Sequence, residues 1–102
     1  MKGCMEACSP EEKLVRLLAK KQMTITTAES CTGGLLAGRL VNVPRASEGF
    51  RGGVITYSHK AKRKLLDVNK STLKKYGAVS EQTAREMAMG GVFATDADAC
   101  VA

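Results

Sequence analysis

The sequence is poor in the groups from which common metal and triad sites are made. It holds one histidine, His59, and its four cysteines (4, 8, 31 and 100) form no Cys-x-x-Cys pair. A zinc site is therefore not expected, and a Ser-His-Asp triad would have to use His59. Aromatic residues are as scarce: Phe50, Tyr57, Tyr76 and Phe93 are the whole set. This counts against nucleic-acid binding, which stacks bases on interleaved aromatic rings. No run approaches the ~18 apolar residues of a membrane span. The opening "MKGCMEACSPEEK" lacks the apolar stretch of a secretory signal. Without such a signal, the cysteines read as reduced cytoplasmic thiols and not as a disulfide framework.

What is present suits one soluble domain. A chain of 102 residues with 44% hydrophobic and 25% charged residues can bury a core but has little stability to spare. The net charge of +6 suits an anionic partner such as a phosphate ligand. Part of that excess is local, in "HKAKRK" (His59 to Lys64). Its plainest explanation is a solvated helix face.

The local signals alternate between helix and strand. "SPEEKLVRLLAKK" offers Ser9 as cap, Pro10 at the first helical position and Glu12 to close a capping box. "TITTA" (Thr24 to Ala28) is a short β-branched run, the profile of a buried strand. A helix is expected over Gly33 to Asn42, stopped by Pro44. "GGVITYS" (Gly52 to Ser58) reads as a second strand. "KAKRKLLDV" reads as a short helix with Ala61, Leu65 and Leu66 inward and its lysines in water. Ser71 is the expected cap of the next helix and Gly77 its stop. Ser80 then caps a longer helix whose inner stripe is Ala84, Met87, Ala88, Gly91 and Val92. "ADACVA" begins a third strand at the end of the chain. This order predicts an α/β layer arrangement.

The chemistry concentrates at "AESCTGG". A strand that passes into a helix through small and hydroxyl residues leaves backbone N–H groups at the turn, and these favour an anion. Gly33 and Gly34 permit close approach of a ligand. Ser30 and Thr32 can hydrogen-bond a substrate, or either can simply cap the helix. Ser30 can also act as a nucleophile, with the turn amides as an oxyanion hole, if a base lies near. A partly buried lysine after the second strand can lose its proton and serve as that base. Tyr57 lies at the end of that strand, where active residues of α/β sheets gather.

"TTAESCTGGLLA", "EGFRGGVITYS", "KRKLLDV" and "YGAVSEQTAREMA" together resemble the CinA C-terminal domain family over nearly all of residues 10–102, leaving 1–9 as a tail. The resemblance implies a three-layer α/β/α sandwich and a nicotinamide mononucleotide (NMN) amidohydrolase of the pyridine nucleotide cycle. It implies a serine with a lysine, no metal and no cofactor, in a cytoplasmic homo-oligomer with no membrane or nucleic-acid partner. Carried over by position, the lysine is Lys62, the tyrosine is Tyr57, and the serine is Ser30 or Ser47. Ser47 is nearer to Lys62 in sequence, which favours it as nucleophile. The Ser30, Cys31, Thr32, Gly33, Gly34 turn would then hold substrate. Arg45 stands where relatives carry glycine; a positive φ there would strain it, though its guanidinium can meet a phosphate. Relatives also continue beyond Ala102, so the sandwich is expected to be truncated at its C-terminus. The alternative reading is accordingly a catalytically incomplete fragment that binds nucleotide or self-associates.

Overall fold

The computed structural model describes residues 9–102; Cys4, Cys8 and the rest of the tail lie outside the described residues. Helix α1 (Pro10–Lys21) starts as its sequence dictates. The Ser9 side chain accepts from the Glu12 amide, and the Glu12 carboxylate reaches back to the Ser9 amide. Acidic residues in its first turn and lysines in its last agree with the helix dipole.

Strand β1 (Ile25–Glu29) is the centre of a three-stranded sheet of order β2-β1-β3, with β2 (Phe50–Ile55) and β3 (Ala99–Val101) both parallel to it. All five residues of β1 are buried. A parallel strand covered on both faces reads as a continuous rather than an alternating pattern, which is why Thr26 and Thr27 sit inside. Helix α2 (Leu35–Val41) follows the β1 turn and packs with α1 against one face. Helices α3 (His59–Leu66), α4 (Lys70–Tyr76) and α5 (Glu81–Thr95) pack together on the other, with α5 lying across the three strands. The expected α/β/α layering therefore forms. Among the described residues no helix is long and apolar enough to cross a membrane.

The main core cluster unites Ala28 of β1 with Leu66, Val68, Leu73 and Met87. Alternation along β1 thus sends Ala28 and its even-numbered neighbours toward α3 and α5, and Ile25, Thr27 and Glu29 toward α1 and α2.

Three local expectations change. Strand β2 begins at Phe50 and ends at Ile55, two residues earlier than the glycine pair suggested at its start. Helix α4 is preceded by Asn69, and Ser71 lies inside it. Here the Glu86 carboxylate accepts from the Asn69 amide (2.8 Å) and the Thr72 hydroxyl (2.5 Å), so a side chain from α5 does the work of a local cap. The inner stripe of α5 includes Thr83, whose hydroxyl donates to the Gly77 carbonyl at 2.7 Å.

Candidate active site

The carboxyl ends of β1 and β2 lie side by side, as parallel pairing requires, and such ends are where α/β sheets place their ligands. Ser30 follows β1, while Thr56 and Tyr57 follow β2. The chain then turns at Ser58, whose hydroxyl accepts from the Ala61 amide and starts α3.

Lys62 overturns the expected orientation of that helix. It is fully buried at 0% exposure, while Leu65, expected inside, is 53% exposed. Residues 58, 62 and 66 share one helix face, and that face meets the sheet. The Lys62 Nζ lies 2.8 Å from the Thr56 carbonyl, 3.1 Å from the Tyr57 carbonyl and 2.9 Å from Ser30 Oγ. A charged ammonium donates to all three. A neutral amine donates to the two carbonyls and turns its lone pair to the serine O–H. Burial pushes the Lys62 pKa below that of a free lysine, opposed by the electrostatic influence of Cys31. The removal of water thus favours the form that can accept a proton.

Ser47 lies in a short 3-10 turn (Ala46–Glu48) ahead of β2 and is exposed. It precedes β2, whereas Lys62 reaches the other end of that strand. Six residues at ~3.3 Å each separate the two by roughly 20 Å. Closeness in sequence here means opposite ends of a strand, so the structure pairs Lys62 with Ser30 and leaves Ser47 apart. Arg45 shares the Ser47 end. Its φ of 66° is in the left-handed region, and its guanidinium pairs with Glu48 at 2.7 Å. Tyr57 is 75% exposed beside the site, and only its backbone carbonyl meets Lys62.

The turn itself has a different internal wiring from that expected. Gly33 (φ 57°) and Gly34 (φ 101°) are both left-handed, a conformation that favours glycine. The Gly33 amide donates to the Ser30 carbonyl and the Leu35 amide to the Thr32 carbonyl. Neither Ser30 nor Thr32 caps α2. Glu29, which the sequence reading passed over, accepts from the amides of Gly34 (3.1 Å), Leu36 (3.0 Å) and Ala37 (3.0 Å). Burial raises the Glu29 pKa, but bonds from Ala37, Thr32, Leu36 and Gly34 outweigh it and leave the carboxyl below its ordinary value. Three of the amides where the turn enters α2 are therefore already filled from within. Those of Cys31 and Thr32 make no hydrogen bond among the described residues. Cys31, Thr32 and Gly33 are exposed around Ser30.

The only advance signal for Glu29 was an acid directly before the turn. Its reach, to amides five, seven and eight residues on, falls outside the capping-box spacing.

The CinA C-terminal domain model matches residues 8–102. A CinA-like protein of Thermotoga neapolitana is 53% identical over 92 residues, which is 90% of this chain and 22% of that protein. A solved CinA superfamily protein of Escherichia coli superposes with a TM-score of 0.87 at 40% identity, over 88% of this chain and 52% of that one. One from Enterobacter cloacae gives 0.86 at 37%, over 88% of this chain and 53% of that one. The chain spans about a fifth of the curated relative's length and about half of each solved structure.

Proposed function

Because the chain belongs to the CinA C-terminal domain family, we propose that its Ser30–Lys62 pair is the amide-cleaving centre of an NMN amidohydrolase. The observation that carries this reading is a fully buried lysine whose nitrogen lies 2.9 Å from a serine hydroxyl at a strand end. In this reading Ser30 Oγ attacks the carboxamide carbon and gives its proton to neutral Lys62. The Cys31 and Thr32 amides face the developing oxyanion. Lys62 then passes the proton to the departing nitrogen as the C–N bond breaks, and ammonia leaves. Water, deprotonated by Lys62, cleaves the acyl-serine to nicotinate mononucleotide and regenerates Ser30. The exposed cations Lys60, Arg63 and Lys64 on α3 draw in the anionic substrate. The same reading carries a cytoplasmic homo-oligomer that needs neither metal nor cofactor.

Ammonia release from NMN tests it. Ser30→Ala and Lys62→Met are each expected to lower turnover by about 10²-fold or more. Loss in Ser47→Ala with retention in Ser30→Ala would return the nucleophile to the other serine. Retention in both Ser30→Ala and Lys62→Met would dismiss the serine–lysine mechanism.

A further inference from the structure

We propose that Glu29 is the positioning residue of this site. Its carboxylate closes the amide cluster of Gly34, Leu36 and Ala37 and thereby holds the turn in the shape that puts Ser30 Oγ on Lys62. The inference rests on the reading of Ser30 as nucleophile.

Ser30 stands where the sheet gives up control of the chain. The last ladder bond in this register runs from the Thr56 amide to the Glu29 carbonyl at 2.8 Å. Beyond it come two left-handed glycines, which have more conformational freedom than any other residue type. Something must fix the turn from outside the ladder. Alternation sends the Ser30 side chain toward α3 and the Glu29 side chain toward α2, so adjacent residues grip opposite layers. Glu29 is 3% exposed, and each of its carboxylate oxygens is engaged, Oε1 by Gly34 and Leu36 and Oε2 by Ala37. Its backbone is held by β2 and its side chain by α2, and Ser30 is the next residue. The same arrangement leaves these three amides unavailable to the substrate, whose phosphate must meet cations elsewhere.

Covalent labelling of Ser30 in the full chain by a fluorophosphonate tests the inference without assuming a substrate. Ser30 Oγ bonds to phosphorus, fluoride leaves, and the serine proton passes to Lys62. Glu29→Gln keeps the size of the side chain but turns an N–H₂ toward the Ala37 N–H. Glu29→Ala empties the site. A displacement of about 1 Å costs on the order of 10²-fold in rate, so labelling should slow by about that much in Glu29→Ala and by about tenfold in Glu29→Gln. Sodium acetate should restore part of the rate in Glu29→Ala, where a small carboxylate can occupy the vacated amides, and none in Glu29→Gln. Circular dichroism reports the folded fraction. Glu29→Ala that labels at the unmodified rate, or slows only with its folded fraction and ignores acetate, overturns the proposal. Should Glu29→Ala fail to fold, an unchanged rate in folded Glu29→Gln overturns it. An unmodified chain that does not label removes Ser30 as nucleophile and the proposal with it. Glu29-dependent labelling without ammonia release from NMN supports the positioning role and dismisses the amidohydrolase reading alone.

Discussion

Ser30 Oγ and Lys62 Nζ, 32 positions apart in the chain, meet at 2.9 Å. One comes from the turn after the central strand and the other from the second turn of a helix after the neighbouring strand. Because burial lowers the Lys62 pKa, the neutral, proton-accepting form becomes available below the pH at which a free lysine deprotonates. Ser30 labelling and turnover should therefore rise with pH through a single step below 10.5, the ordinary lysine value. Lys62→Arg should abolish the step, since a guanidinium does not deprotonate in proteins. A rate–pH profile of the unmodified chain and this variant checks both statements.

Two helical glycines should respond with opposite signs to the same change. A Cβ at Gly38 of α2 meets nothing within 4 Å, so Gly38→Ala should stabilise by about 0.4–1 kcal/mol through the unfolded chain. A Cβ at Gly90 of α5 collides with the Leu66 backbone carbonyl, which cannot swing aside as a flexible side chain would. Gly90→Ala should cost about 1–3 kcal/mol, more than the helix-propensity gain of ~1 kcal/mol offsets. Urea midpoints of the two variants decide the signs.

Thr83→Val should be destabilising although the two side chains have nearly the same shape. The Thr83 hydroxyl is buried, donates to the Gly77 carbonyl at 2.7 Å and accepts from Ser80 at 3.0 Å. Valine removes the shorter of the two bonds to that carbonyl, leaving it the 3.1 Å bond from the Ser80 hydroxyl, at a cost of about 0.5–1.5 kcal/mol. Denaturant unfolding at constant pH measures it.

The Arg39 guanidinium grips the Glu11 carboxylate through two bonds of 2.9 Å, fastening α2 to α1. Hydrogen bonding from Arg39 holds the Glu11 pKa at about 2, below its ordinary 4.5. A carboxyl with a lowered folded pKa contributes stability above its unfolded pKa, and that contribution fades as pH falls through the folded value. The Tm gap between the unmodified chain and Arg39→Ala should thus be constant above pH 4.5 and close toward about pH 2. With Arg39 exposed, the gap should be small and shrink with salt.

The elements with local causes were readable in the sequence. Ser9, Pro10 and Glu12 announce α1 within four residues, and Ser80 announces α5 in the same way. The site was only half readable. "ESCTGG" marked the turn, but Lys62 sits in a run of cations that looks like a wet face. Burial of one lysine among several depends on which helix face meets the sheet, a tertiary fact. Ser47 was favoured because distance along the chain stood in for distance in space, and a parallel strand reverses that inference. Glu29 and Glu86 escaped for a related reason: Glu29 accepts from three amides, and Glu86 from one amide and one hydroxyl, all outside the spacing of a local cap.

The Thr56 carbonyl accepts from the Lys62 amine just beyond the point where the Thr56 amide closes the last rung with β1. A side-chain nitrogen stands where another strand residue would have placed its N–H. Lys62 is thus also the stopper of the ladder, and fraying of that corner of the sheet would release it from Ser30 as well. Amide exchange at Thr56 and the Ser30–Lys62 contact are therefore tied to one opening event, so heat or denaturant should quench any Ser30 labelling with the fraying of two strand ends, ahead of the collapse of the core around Leu66 and Met87.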